Sequence, residues 1–168
     1  MRWFWVDRFT EFVSGSHAKG IKNVCLDEEV VDNYCPGFPV LPPTLIIEGM
    51  AQMGGILIAE HFDFRKRVVL AKVGKGKFYA PAKTGDRLHY DVRLDAVQDN
   101  GGTVVSTSHC EGELQAEIDL MFAFLEDGFL VDGPLFEPGD LKVMLQIMNF
   151  FSVAVDANGN RFPTYENL

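Results

Sequence analysis

Residues 38 to 59 hold a single charge, Glu48, and nothing else in the chain restricts its fold as strongly. A run this apolar has to be covered by other structure or by lipid. Glu48 keeps every uncharged stretch below the roughly 18 residues that a membrane span needs, so a covered helix is expected and no membrane span. Pro42-Pro43 can open that helix, because proline's fixed φ and missing N–H are tolerated in a first turn. From Pro43 to His61 the apolar residues Leu45, Ile46, Ile47, Met50, Ala51, Met53, Ile56, Leu57, Ile58 and Ala59 occupy almost every face. A helix apolar all round is expected to be wrapped by its surroundings.

Strands supply the wrapping. Residues 17 to 26, 67 to 73, 87 to 98, 103 to 110 and roughly 113 to 125 read as strands from β-branched content and partial alternation. Asp99-Asn100-Gly101-Gly102 is a hairpin signal, since Asn and Gly accept positive φ, and Glu111-Gly112 makes a second turn. One long helix with four or more antiparallel strands predicts an α+β fold in which a curved sheet wraps the helix. At 168 residues, with 47% apolar and 12% aromatic side chains, the chain suits one domain with a full core and is not disordered. Residues 1–125 make that domain, and 126–168 form a C-terminal extension. Its features are turns at Asp127-Gly128, Asp132-Gly133-Pro134 and Asn158-Gly159-Asn160, and a helix from Leu141 to Phe151 with Asp140 as N-cap. The extension is predicted to pack against the sheet or a second subunit.

A net charge of −9 argues against binding nucleic acid by general phosphate neutralisation. Residues 65 to 87 nevertheless carry eight cations against Asp86 alone, a local +7 that leaves −16 elsewhere. That run either steers an acidic partner or is a solvated, lysine-rich strand. Cys25, Cys35 and Cys110 show no CxxC spacing, which suggests neither a disulfide framework nor zinc and fits a cytoplasmic protein. Met1 to Arg8 lacks the apolar stretch of a secretory signal. No spacing of His, Cys or carboxylates suggests a metal site, and Gly74-Lys75-Gly76-Lys77 lacks the features of a phosphate-binding loop.

On the helix Thr44, Glu48 and Gln52 recur at i, i+4 and i+8 and share one face. A carboxylate buried there either pairs with a cation or backbone N–H and fixes the helix, or is poised for acid/base chemistry. The preceding loop, Tyr34 to Pro43, holds four prolines and Gly37, so it must be stiff. It either pins the chain for packing or sets the helix N-terminus beside a polarised carbonyl.

Cys35-Pro36-Gly37-Phe38-Pro39-Val40-Leu41-Pro42 followed by Leu45-Ile46-Ile47-Glu48-Gly49-Met50-Ala51-Gln52 resembles a known signature. It is that of the bacterial 3-hydroxyacyl-[acyl-carrier-protein] dehydratases of the FabZ type, H-F-P-G-x-P-x-x-P-G-x-x-x-x-E-A-M-A-Q. The similarity extends to Val6-Asp7-Arg8, Ile21-Lys22-Asn23-Val24, and Phe78 with Pro81, Gly85 and Asp86. The resemblance implies a hotdog fold and a homodimer joined edge to edge, in some members a trimer of dimers. It implies active sites in tunnels between subunits, where a histidine of one chain and the helix glutamate of the other dehydrate a 3-hydroxyacyl thioester. The substrate rides on the phosphopantetheine of acyl carrier protein, and no cofactor is implied. By the same resemblance Tyr34 and Glu48 are the catalytic positions, and Gly37, Phe38, Thr44 and Gln52 contact substrate; the basic run from Arg65 to Arg87, with Lys72, Lys75 and Lys77, is expected to help receive the acidic carrier protein.

Two positions depart from the signature. Tyr34 stands where the histidine is, and Pro43 stands where a glycine would offer its N–H to the thioester carbonyl. A phenol of pKa ~10 is about one part in a thousand ionised at pH 7, a cost of roughly 4 kcal/mol for acting as a base. By the resemblance Glu48 would be the acid at the hydroxyl; with tyrosine in place of the histidine, Tyr34 could instead act as acid or orient the substrate while Glu48 becomes the base, or another histidine, His109 or His61, could take the role. Otherwise the tunnel binds acyl chains in a silent subunit or one paired with an active paralogue. A thioesterase fits the motif less well. The lost N–H has candidate replacements in Thr44 and Leu45.

Overall fold

The structure is a computed structural model, and it describes residues 4–126 and 138–162. The expected turns at Asp127-Gly128 and Asp132-Gly133-Pro134 lie outside the described residues. Strands β1 (Arg8–Val13) and β2 (His17–Asn23) form a hairpin, followed by helix α1 (Glu29–Tyr34) and the short strand β3 (Val40–Leu41). Helix α2 (Pro43–His61) comes next, with the bounds that its apolar run and Pro43 imply. Then follow β4 (Arg67–Phe78), β5 (Ala82–Lys83), β6 (Arg87–Gln98), β7 (Gly101–Cys110) and β8 (Glu113–Leu125). Helices α3 (Pro138–Ile147) and α4 (Phe150–Val153) and strand β9 (Ala154–Val155) complete the described chain.

The main sheet runs β4-β8-β7-β6-β2-β1-β9, antiparallel except for β9, which lies parallel to β1. This is the α+β arrangement expected, a sheet curved over one long helix. Strand β4 continues five residues past Val73, through Gly74 and Gly76, because its ladder with β8 holds across two bulges. Strand β2 stops at Asn23, since the Val24 N–H turns to the Asp86 carbonyl.

Along α2 the residues Ile46, Met50, Met53, Leu57 and Ile58 are almost fully buried against the sheet. Among the described residues its opposite face is open: Thr44 is exposed, and Glu48, Gln52, Gly55 and Ala59 are only half-buried. The helix is therefore wrapped on one side and not all round, because the sheet curves over a single face.

Phe9, Phe12 and Phe150 meet edge-on with ring centroids 4.7 to 5.9 Å apart, and Leu145, Met148 and Ala154 join the same core. The single helix expected from Leu141 to Phe151 is instead two. Asn149 breaks it with φ +61, a left-handed conformation that asparagine tolerates, and its side-chain amide reaches the Phe9 carbonyl at 3.4 Å. Asp140 lies inside the first turn of α3, which begins at Pro138, and is not its N-cap.

Candidate active site

The stiff loop is built as its composition demands. Cys35-Pro36-Gly37-Phe38 closes a turn through a 2.9 Å bond from the Phe38 N–H to the Cys35 carbonyl. Pro36 supplies the fixed φ, and Gly37 takes φ +82, the pattern of a type II turn. Beyond it, Val40 and Leu41 pair with Lys83 and Ala82, which ties the loop to the β5 ribbon. The turn holds Tyr34 and Phe38 outward, 56% and 50% exposed, with the Lys83 ammonium 5.9 Å from the Phe38 ring centre.

At the start of α2 the Leu45 N–H donates to the Pro42 carbonyl at 2.9 Å, so it is not the free donor expected there. Ile46 shares that acceptor at 3.4 Å. Among the described residues the Thr44 N–H has no such acceptor, and it stays the available first-turn donor beside Pro43.

One turn on, the Gln52 side-chain amide donates to Glu48 Oε1 at 3.1 Å, while Gln52 Oε1 accepts the backbone N–H of Trp5 at 2.9 Å. Gln52 thus fixes one carboxylate oxygen, and the segment before β1 fixes Gln52. Gly49 allows that segment to come close: a Cβ there would lie 2.4 Å from the Trp5 carbonyl oxygen and 2.9 Å from the Tyr90 ring. Glu48, Gln52 and Thr44 share the open face of α2. Tyr34 and Glu48 are not hydrogen-bonded to each other in the chain.

The two histidines weighed as substitutes sit elsewhere. His61 is thirteen residues further along α2, about 20 Å by helical rise, with its ring against Phe62. His109 lies opposite His89 in the β6–β7 ladder. Of the expected docking lysines, Lys75 is 3.5 Å from the Glu117 carboxylate and Lys77 lies over the Tyr79 ring at 4.5 Å. Lys72 faces Met121 across the ladder. Glu117 sits low in its acidity range because the Tyr79 hydroxyl and then Lys75 bond to it. The basic run is therefore partly neutralised by β8. Among the described residues no group of three or more His, Cys, Asp or Glu side chains could hold a metal.

Sequence reasoning passed over three buried groups. Lys22 is 4% exposed and pairs with Glu28 and, at 3.6 Å, with Asp7. Ala18, Gly20 and Lys22 alternate on the inward side of β2, so a cation in that register was a readable signal. Tyr90 lies beneath Gly49, its hydroxyl pushed up beyond the usual phenol range by burial, then by Asp7 and Glu28. Glu60, 4% exposed, accepts a 2.7 Å bond from the Ser14 hydroxyl, and burial raises its pKa.

A family described as a FabA-like domain matches residues 3–119. A relative from Thermomicrobium roseum, a 3-hydroxyacyl-[acyl-carrier-protein] dehydratase FabZ, is 38% identical over 122 residues, 72% of this chain and 82% of its own. The Bacillus subtilis protein of the same name is 34% identical over 72% of this chain and 86% of its own. Among solved structures, the dehydratase heterocomplex ApeI:P from Xenorhabdus doucetiae superimposes with a TM-score of 0.61 at 17% identity, covering 85% of this chain and 90% of that one. Protein smu.793 from Streptococcus mutans, bound to acetyl CoA, gives 0.60 at 17% identity over 74% and 93%. At that identity the likeness bears on the fold alone.

Proposed function

The chain belongs to the FabA-like family of hotdog proteins, and we propose that it removes water from 3-hydroxyacyl thioesters to give 2-enoyl thioesters in fatty-acid biosynthesis. The observation that carries this reading is the Glu48–Gln52–Trp5 arrangement on the open face of α2 in a chain 38% identical to a FabZ dehydratase.

The chemistry needs three groups. The thioester carbonyl acidifies the α C–H, a base takes that proton, and an acid protonates the departing hydroxyl. A donor must face the oxygen on which charge develops. Glu48 is the base, with Oε1 held by Gln52 and Oε2 turned to the α proton. Tyr34 of the second subunit is the acid: its phenol gives a proton to the hydroxyl as the C–O bond breaks, releasing water, and solvent then takes the α proton from Glu48 and returns one to Tyr34. The Thr44 N–H takes the donor role that Pro43 cannot fill. Gly37 shapes the rim, and Phe38 lines the way in for the pantetheine arm. The substrate is carried by acyl carrier protein, which docks at Lys72, Lys75 and Lys77, with Glu117 giving up Lys75 to it. No cofactor takes part. The working unit is a homodimer or a trimer of dimers in the cytoplasm, with residues 1–125 as the catalytic domain and 126–168 as an extension of it.

The test is incubation of purified protein with 3-hydroxyacyl carrier proteins of several lengths, assayed for the enoyl product and for the reverse hydration. Turnover that is lost with Glu48→Ala supports the reading. Inactivity that Tyr34→His leaves unchanged sinks it, and favours instead a silent subunit that binds acyl thioesters or pairs with an active paralogue.

A further inference from the structure

Lys22 has no part in the reaction as described, yet its burial is unusual. An ammonium this enclosed is tolerated only with partners, and here they are specific. Glu28, which bonds it directly, is the residue immediately before α1, the six-residue helix that ends at Tyr34. Asp7 lies 3.6 Å away, and the Trp5 ring sits under the ammonium at 5.5 Å. The backbone N–H of Trp5 holds Gln52, which holds Glu48. Val31 of α1 is fully buried, so the helix cannot move without disturbing the core.

From this contact chain we propose that Lys22 is a positioning residue for both halves of the active site, setting Tyr34 through Glu28 and α1 and Glu48 through Trp5 and Gln52. The proposal rests on the catalytic reading above. Helix α1 carries no side-chain cap at its start; apart from the 3.3 Å backbone bond from the Glu28 N–H to the Cys25 carbonyl, it is the Glu28–Lys22 pair that ties its entrance to β2. Asp7 is held independently by the Asn23 backbone and side-chain amides at 2.7 Å each, which makes it a fixed post against which the lysine is set. Because Tyr34 and Glu48 of one chain serve different tunnels in the dimer, one cation tunes a residue in each.

The test uses full-length protein carrying Lys22→Met, Lys22→Arg or Glu28→Gln, with two measurements. The first is hydrogen exchange, which needs no turnover and so stays informative if the catalytic reading fails. Lys22→Met is expected to speed exchange of the α1 and Trp5 amides about tenfold while the β6 to β8 amides keep their rates. Unchanged α1 exchange, or equal acceleration throughout the sheet, overturns the proposal. The second is steady-state kinetics on the acyl carrier substrate. Displaced groups are expected to lower kcat about 10- to 100-fold with KM within about threefold, and Lys22→Arg to recover most of the loss. In a Tyr34→Phe background the further loss from Lys22→Met should shrink markedly. Losses that simply multiply in the double variant, or no recovery with arginine, count against positioning. Should Lys22→Met fail to fold, Glu28→Gln leaves the lysine paired with Asp7 and carries both measurements.

Discussion

Single atoms set the geometry of the proposed site. Gly49 is the plainest case, because the family signature has alanine there while this chain brings the Trp5 carbonyl into the space that a methyl would fill. Gly49→Ala is expected to cost about 1 to 3 kcal/mol through overpacking, read as a lower melting temperature. It should also slow turnover by pushing Trp5 away from Gln52. Tyr34 is the opposite case: more than half exposed, it contributes little to stability. Tyr34→Phe should leave the melting temperature within a degree or two yet reduce kcat by roughly 10²- to 10⁴-fold, the usual range for losing a general acid. An unchanged kcat would remove Tyr34 from the mechanism. Glu48 was legible in the sequence as a lone charge among apolar residues. Lys22 was hidden by reading β2 for its content rather than for the side each residue takes.

Elements were readable where a single period governs them. Helix α2 has unbroken apolar spacing and a proline at its start, so its bounds follow from the residues. Strand β1 was missed for a physical reason: a register shift between Phe9 and Glu11 puts the buried Phe9 and Phe12 three residues apart, which breaks the two-residue alternation of a strand. The break at Asn149 was hidden too, since it depends on a contact with β1 that is distant in sequence. Phe150, seated between Phe9 and Phe12, is the anchor of the extension. Phe150→Ala should cost about 3 to 5 kcal/mol, measured by denaturant unfolding. At the far end of α2, Glu60 has its folded-state pKa raised above the unfolded value by burial, the Ser14 bond only partly opposing this. The folded state then holds the proton more tightly, so the Glu60 contribution is intact below about pH 4.5 and is lost as pH rises through the folded pKa. Glu60→Gln keeps an acceptor for Ser14 and cannot ionise. Its melting temperature should equal that of the parent at pH 4 and exceed it increasingly toward neutrality, and a constant difference across that range would refute the assignment.

Across the whole molecule the two margins of the sheet are unlike. At one, β9 lies along β1 and closes it. At the other, β4 offers a twelve-residue edge whose residues from Leu70 to Lys77 are all exposed, with Leu70 and Val73 each 39% exposed. An uncovered strand of that length invites pairing with another chain, and its lysines oppose random association. Among the described residues this is the one long open margin, and in the proposed homodimer its pairing with the same margin of a second copy would give a closed two-fold assembly that leaves nothing for a fibre to grow on. In the proposed mechanism the dimer also brings Tyr34 of each chain to Glu48 of the other. Val73→Asp places a charge on that margin without touching the core of its own chain. It is expected to weaken dimerisation by tenfold or more, at about 1.4 kcal/mol per factor of ten, seen as a concentration-dependent shift to monomer in sedimentation. Turnover should fall in step with the monomer fraction, because in the proposed mechanism each tunnel takes residues from two chains. A monomeric variant that kept full activity would mean that Tyr34 and Glu48 do not meet across the dimer.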